Sequence, residues 1–249
     1  PFQPDGPRRR VLHRVELAAG VNDLGPYLTN WLPTTERSTV RVTSNPYGDV
    51  FDHLSFLVRY PYGCIEQTTS GTRPLLFVDR LLEQVDPELV ADKGVADRVN
   101  SGIRRVLSMQ TGVGGFGYWP GDDSPAAWGT AYATHMLLDA REQGYDVPER
   151  SLDDALRWME GYVDLGESAH GRDGLAYMHY VLARAGRGRK ALASSMLARL
   201  EGAGQGAGQD GAQQEQVYLL KAALWQAGDR RHEATLRTPE VTPVKLDRS

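Results

Sequence analysis

Cysteine is almost absent from this chain. Its 249 residues hold one, Cys64, so no internal disulfide can form. A single thiol suits cytosol and periplasm equally, and leaves the compartment open. Long apolar runs are lacking as well: none approaches the ~20 residues that a bilayer-spanning helix needs, and no secretory leader is visible. There is no excess of basic charge. Lys and Arg total 28 against 32 Asp and Glu, a net charge of −4 with no basic stripe, which argues against nucleic acid as a partner. The initiator methionine is missing too, so the expectation is a piece of a longer protein. The rest is ordinary for a globular chain, 41% hydrophobic and 24% charged, with ample length for a core.

Read in order, residues 1–10 carry three prolines and an arginine run, and suit a linker. Val11, His13, Val15 and Leu17 alternate with other residues in a partly strand-like pattern, and Thr39 to Thr43 is a better strand with Val40 and Val42 on one side. A short helix over Asn22–Leu32 ends at Pro33. Asn45-Pro46-Tyr47-Gly48 is a turn, and a domain boundary is expected near residue 46. Helical periodicity follows: from Asp49, from Ile65 to Leu82, over about 88–110, and then over about 126–143, 151–164, 173–186, 189–201 and 213–227. The expected domains are 1–46 (linker and extended or β segment), 47–236 (helical) and 237–249 (irregular tail).

The helical part contains a repeat. Ala131-Tyr132-Ala133-Thr134-His135-Met136-Leu137-Leu138, Ala176-Tyr177-Met178-His179-Tyr180-Val181-Leu182 and Val217-Tyr218-Leu219-Leu220 resemble one another, with tyrosines 45 and then 41 residues apart. A period of this length with two helices per unit fits a solenoid or a closed α/α toroid, and the period does not choose between them.

Chemistry concentrates at Tyr60-Pro61-Tyr62-Gly63-Cys64-Ile65-Glu66-Gln67-Thr68-Thr69-Ser70. Pro61 and Gly63 suit a tight turn that delivers Cys64 to a helix N-terminus, where free amides and the dipole favour a thiolate. Residues three apart on a helix are surface neighbours, so the Cys64 sulfur and the Gln67 carboxamide can meet. Attack of the sulfur on the carboxamide carbon, with loss of ammonia, would leave an internal thioester. Taken singly, Cys64 also reads as a small buried hydrophobe and Gln67 as a solvent-facing residue.

The full string resembles the thioester motif of bacterial alpha-2-macroglobulins, relatives of the complement thioester proteins. Gly114-Gly115-Phe116-Gly117-Tyr118-Trp119-Pro120-Gly121, followed by Trp128-Gly129-Thr130-Ala131-Tyr132, resembles a second stretch of that family. The resemblance implies a mainly α fold, an α/α toroid of helical hairpins preceded by a short β segment. About six hairpins are usual and four or five are countable here, so an incomplete ring is expected. It further implies the thioester domain of a protease-trapping inhibitor, not an enzyme, consumed once per event. Bait cleavage elsewhere in the parent exposes the Cys64–Gln67 bond, and lysine amines of the target protease attack the Gln67 acyl carbon.

The remaining expectations are smaller. Glu66 orients the turn or stays solvated, and Tyr60, Tyr62, Gly63, Tyr118, Trp119 and Trp128 form the thioester's surroundings by excluding water. His170 is the candidate helper for acyl transfer to hydroxyls, while His135 and His179 read as packed mid-helix residues. Asp122 and Asp123 read as a cap for the helix beginning near Ala126, not as a metal or cyclase site. No cofactor or metal is expected. Other domains of the same chain are expected partners, with no membrane contact by this fragment, and a periplasmic parent that is often an inner-membrane lipoprotein. Two alternatives stay open: a hydrolase or transglutaminase with Cys64 as nucleophile and a distant histidine, and a helical interaction solenoid with an incidental cysteine.

Overall fold

The computed structural model describes residues 9, 11–29, 31, 35–40, 42, 63–77, 94–166, 174–203 and 211–237. The chain divides into two compact units, Pro1–Gly48 and Asp49–Ser249. In the first, the described residues form one 3-10 turn, Gly25–Tyr27, in place of the longer helix expected over Asn22–Leu32. Pro26 has no amide proton to continue a helical ladder, which explains the shortening. No strand is present among the described residues. Val11, Leu12, Val15, Leu17, Val40 and Val42 are exposed, and their alternation finds no ladder partner there.

The second unit is helical: α1 (Ile65–Thr72), α2 (Val95–Leu107), α3 (Ala127–Glu142), α4 (Glu149–Leu165), α5 (Leu175–Arg184), α6 (Lys190–Ala203), α7 (Gly211–Gln226) and α8 (Glu233–Arg237). Helix α1, expected to run to Leu82, stops at Thr72 because Arg73-Pro74 makes a turn before residues 75–77 resume. The helix expected from Asp49 lies outside the described residues, as does the start of the one expected from about 88.

Helices α1, α3, α5 and α7 pack in sequence as an inner layer, while α2 lies on α1, α4 on α3 and α5, and α6 on α7. The repeated tyrosines Tyr132, Tyr177 and Tyr218 fall on α3, α5 and α7, one on each of three successive helices of the inner layer. The outer helices show one apolar stripe, as surface helices do: Val95, Val99, Ile103 and Val106 on α2, and Leu152, Ala155, Leu156, Met159 and Val163 on α4. Helix α3 is buried nearly all round from Gly129 to Ala140, which marks it as the centre of the layer.

Two glycines seat α1. A Cβ on Gly129 of α3 would lie 2.8 Å from Ile65, and one on Gly102 of α2 would lie 1.9 Å from the Thr72 hydroxyl and 2.8 Å from its Cβ. The C-terminal end of α1 is tied by charge. Arg73 Nε donates to Asp139 Oδ2 at 2.7 Å, and Arg73 Nη2 donates to His135 Nε2 at 3.0 Å. Arg184 of α5 joins from the other side: its Nη1 donates to Asp139 Oδ1 and, at 2.7 Å, to His135 Nε2, and its Nη2 donates to Glu142 at 2.6 Å. With two guanidinium donors on Nε2, the imidazole is neutral and carries its proton on Nδ1, which donates to the Tyr177 hydroxyl at 2.8 Å.

Two substitutions of one chemistry should then have opposite signs. Gly102→Ala must displace buried Thr72 and should cost about 1–3 kcal/mol. Gly161→Ala in α4, where a Cβ meets nothing within 4 Å, should gain about 0.5–1 kcal/mol from helix propensity. Denaturant unfolding of the two variants checks the contrast, and equal shifts would contradict the seating of α1.

A pH dependence follows from two buried histidines. Burial first, then the charges of Arg73 and Arg184, push His135 down to about 4 against the pull of Asp139. Burial pushes His179 down to about 4, against Asp164. Unfolded, both protonate near pH 6.5. Between these values the unfolded state binds more protons, so stability is full above about 6.5 and falls as pH drops toward 4. The loss at pH 5 is about 2 kcal/mol per histidine. Melting at pH 7 and pH 5 should show the drop, and His179→Leu should reduce it; an undiminished drop would refute the assignment to His179.

Candidate site at the N-terminus of helix α1

Cys64 occupies the N-cap of α1 in an extended conformation, φ −64° and ψ 176°, and Gln67 is the third residue of the helix. The two residues cap each other. The Cys64 side chain faces the backbone N–H of Gln67, and Gln67 Oε1 accepts the backbone N–H of Cys64 at 3.2 Å. This is the reciprocal arrangement of a capping box, with a thiol where serine or threonine usually stands. It brings sulfur and carboxamide to the same end of the same turn, where unpaired helix amides gather.

Gly63 makes the fold-back of Gln67 possible. A Cβ there would lie 2.5 Å from the Gln67 Cβ and 3.0 Å from Oε1, so any other residue would push the carboxamide away. The Gly63 carbonyl accepts from the Thr68 hydroxyl at 3.2 Å and from Arg105 Nη2 at 3.4 Å. Thr68 N–H in turn donates to the Cys64 carbonyl at 2.9 Å. The turn is thus held from the helix it starts and from α2.

The glycine-rich aromatic loop docks on the same place by its backbone. The N–H of Ile65 donates to the Tyr118 carbonyl at 3.0 Å, while Thr130 of α3 grips both the N–H and the carbonyl of buried Phe116. Asp122 does not cap α3, contrary to the expectation. Its Oδ2 accepts the Trp119 N–H at 2.9 Å, and the α3 N-cap is Ala126 without a side-chain bond. The aspartate stabilises its own loop because that loop's free amide is nearer than the helix start.

The structure places the other sequence candidates as follows. Cys64 is half-buried and Gln67 exposed, as is Glu66 in the first turn, where its charge complements the helix dipole. Tyr118 and Trp119 expose about half of their side chains, 51% and 52%. Trp128 is half-buried and packs on Tyr132 with ring centroids 4.8 Å apart, and the Tyr132 hydroxyl is 3.1 Å from Ser70 Oγ on α1. Tyr60, Tyr62 and His170 lie outside the described residues. Arg105, Thr68 and Tyr132 are contacts that sequence reasoning missed. Arg105 reads locally as a cation in the last turn of a helix, and no spacing links it to a turn 42 residues away.

Comparison with known proteins identifies the family. A family model described as the A-macroglobulin TED domain matches residues 40–169, just over half of the chain. Among curated proteins, the alpha-2-macroglobulin of Escherichia coli strain K12 is 34% identical over 126 residues, covering 50% of this chain and 8% of that protein. Among solved structures, Salmonella alpha-2-macroglobulin reacted with methylamine superposes with a TM-score of 0.61 at 28% identity, covering 76% of this chain and 12% of that one. Trypsin-activated alpha-2-macroglobulin from Escherichia coli gives 0.58 at 25% identity, covering 73% and 13%. The chain therefore spans roughly a tenth of the length of these relatives. It has their α/α toroid fold, and it belongs to the A-macroglobulin TED-domain family, as a thioester domain of the bacterial alpha-2-macroglobulin type.

Proposed function

We propose that this chain is the covalent capture unit of a protease-trapping inhibitor, with a thioester between the Cys64 sulfur and the Gln67 acyl carbon. The observation that carries the reading is the reciprocal capping of these two residues at the start of α1. The Cys64 N–H already holds the oxygen on which negative charge develops when sulfur adds to the carboxamide carbon. Fixed donors of that kind lower the barrier to acyl transfer. Sulfur adds to the carbon as its proton leaves, ammonia departs with the proton it gains, and the C–S bond stays as a stored electrophile.

Release runs the other way. An amine attacks the acyl carbon, the C–S bond breaks, and the sulfur leaves as a thiol once protonated. Gln67 is exposed and its partner half-buried, so an amine on a large partner has access from the solvent side. The natural nucleophile is a lysine amine of a protease that has cleaved a bait segment elsewhere in the parent. Each domain acts once, so the chain is an inhibitor rather than a turnover enzyme. The aromatic surroundings, Tyr60, Tyr62, Tyr118, Trp119 and Trp128, serve to keep water from the bond, and the half-exposure of Tyr118 and Trp119 suits aromatics that a neighbouring domain covers in the parent. His170 is the candidate helper toward hydroxyl nucleophiles. Residues 47–236 form the capture domain, in a periplasmic parent anchored as an inner-membrane lipoprotein.

The test is the intact mass of the parent protein before and after methylamine, beside Cys64→Ala. The expected mass is one ammonia below the sequence value, and methylamine should add to Gln67 and free one thiol. The Cys64→Ala protein should have the sequence mass and ignore methylamine. A freshly isolated parent at the sequence mass, with Gln67 unmodified and no response to methylamine, would overturn the reading.

A further inference from the structure

We propose that Arg73, His135, Asp139 and Arg184 form a positioning cluster for the Cys64–Gln67 pair, holding α1 in the one seat from which sulfur and carboxamide face each other. The inference rests on the thioester reading above and adds residues that the motif does not contain.

Helix α1 is short. Eight residues make two turns, too short to hold their own place by helix propensity. Its position comes from what it touches. At the N-terminal end these contacts are single hydrogen bonds and one side chain: Ile65 N–H on the Tyr118 carbonyl, Arg105 on the Gly63 carbonyl at 3.4 Å, and the side chain of Ile65 in the Gly129 notch. At the C-terminal end the contact is a charge cluster reaching three helices. Asp139 is 3% exposed and has each carboxylate oxygen on a different arginine, Arg73 from the end of α1 and Arg184 from α5. Releasing either arginine would leave one oxygen of this buried carboxylate without its hydrogen-bond donor, which is costly.

His135 completes the device. Two guanidinium groups that would repel each other converge on one neutral nitrogen, 3.0 Å from Arg73 and 2.7 Å from Arg184. The imidazole supplies a lone pair between the cations, and Tyr177 fixes its ring from the opposite side. Tyr180 packs edge-on against it with centroids 5.4 Å apart, and Glu142 balances the outer face of Arg184. The groups facing His135 are therefore Arg73 from the end of α1, Asp139 from its own helix, and Arg184, Tyr177 and Tyr180 from α5. Two arginines balance Asp139 and Glu142, so the cluster is neutral only while His135 is uncharged.

A shift of α1 against α2 and the aromatic loop would strain the Gly63–Cys64 turn, which Arg105 holds by the Gly63 carbonyl and Tyr118 by the Ile65 N–H, and so disturb the cap between Cys64 and Gln67. Misplacement of reacting groups by ~1 Å costs on the order of a hundredfold in rate. The cluster thus acts on the chemistry without touching it, and its four members are positioning residues.

The experiment compares Arg73→Gln with wild type and with Leu224→Ala in the parent protein. Arg73 is part-exposed, so its loss is the mildest way to break the cluster, and Leu224 is a fully buried residue of α7 that serves as a stability control. Two readouts are taken well below each melting temperature: spontaneous thiol release, in which water attacks the Gln67 acyl carbon, the C–S bond breaks and Gln67 becomes glutamate; and hydrogen exchange of the α1 amides. Arg73→Gln should release thiol about tenfold faster than wild type or form less of the bond, with faster α1 exchange. Leu224→Ala should lower the melting temperature with the bond unaffected. Arg73→Lys, which keeps one charged donor, should fall between Arg73→Gln and wild type, and replaces it if that variant does not fold. Unchanged α1 exchange and thiol release in the Arg73 variants would overturn the inference alone, as would an equal effect from Leu224→Ala. A wild-type parent without the mass deficit would overturn the thioester reading, and the inference with it.

Discussion

The cap between Cys64 and Gln67 is a small interaction, one hydrogen bond from the Cys64 N–H to the carboxamide and a sulfur facing the Gln67 N–H, yet the surrounding structure is arranged to permit it. Gly63 leaves the space into which Gln67 folds, Thr68 and Arg105 hold the carbonyl of that glycine, and the Tyr118 carbonyl takes the first helical amide. A free helix start would satisfy its amides with water or with a serine or aspartate cap. Here the cap is a thiol and the residue reaching back is an amide, so the ordinary physics of ending a helix brings a nucleophile and an acyl group together.

That local geometry depends on long-range packing. Helix α1 is short, and α2 and α3 hold it through two missing side chains, at Gly102 and Gly129. The inner layer α1, α3, α5 and α7 provides the frame, and the arginine cluster links three of those four helices around one buried carboxylate. Stability and chemistry thereby share residues: a change that loosens α1 within the frame reaches Cys64 and Gln67 without altering either.

Much of this is legible in the sequence, and the limits are physical. The spacing of Cys64 and Gln67 places them on one helical turn because helical neighbours lie three and four residues apart. The tyrosine repeat marks α3, α5 and α7 because each inner helix solves the same packing problem. Contacts between distant segments carry no such period. Arg73 meets Asp139 across 66 positions, and Arg105 meets Gly63 across 42. Asp122 looks like a helix cap by position, yet bonds to its own loop, because the nearest free amide and not the nearest helix start decides the partner. Alternation over Val11–Leu17 suggests a strand, but alternation specifies a face and not a partner, and no strand is present among the described residues.

The account's central claim is a covalent bond between two side chains that the structure places in contact range of one another's backbone. Peptide mapping of the freshly isolated parent, digested in acid to prevent exchange, tests it most directly. The account predicts that the peptide spanning Cys64 and Gln67 is recovered one ammonia light, with Cys64 resistant to alkylation until a nucleophile is added. Recovery of that peptide at its sequence mass, with an intact Gln67 amide and a Cys64 that alkylates at once, would contradict it.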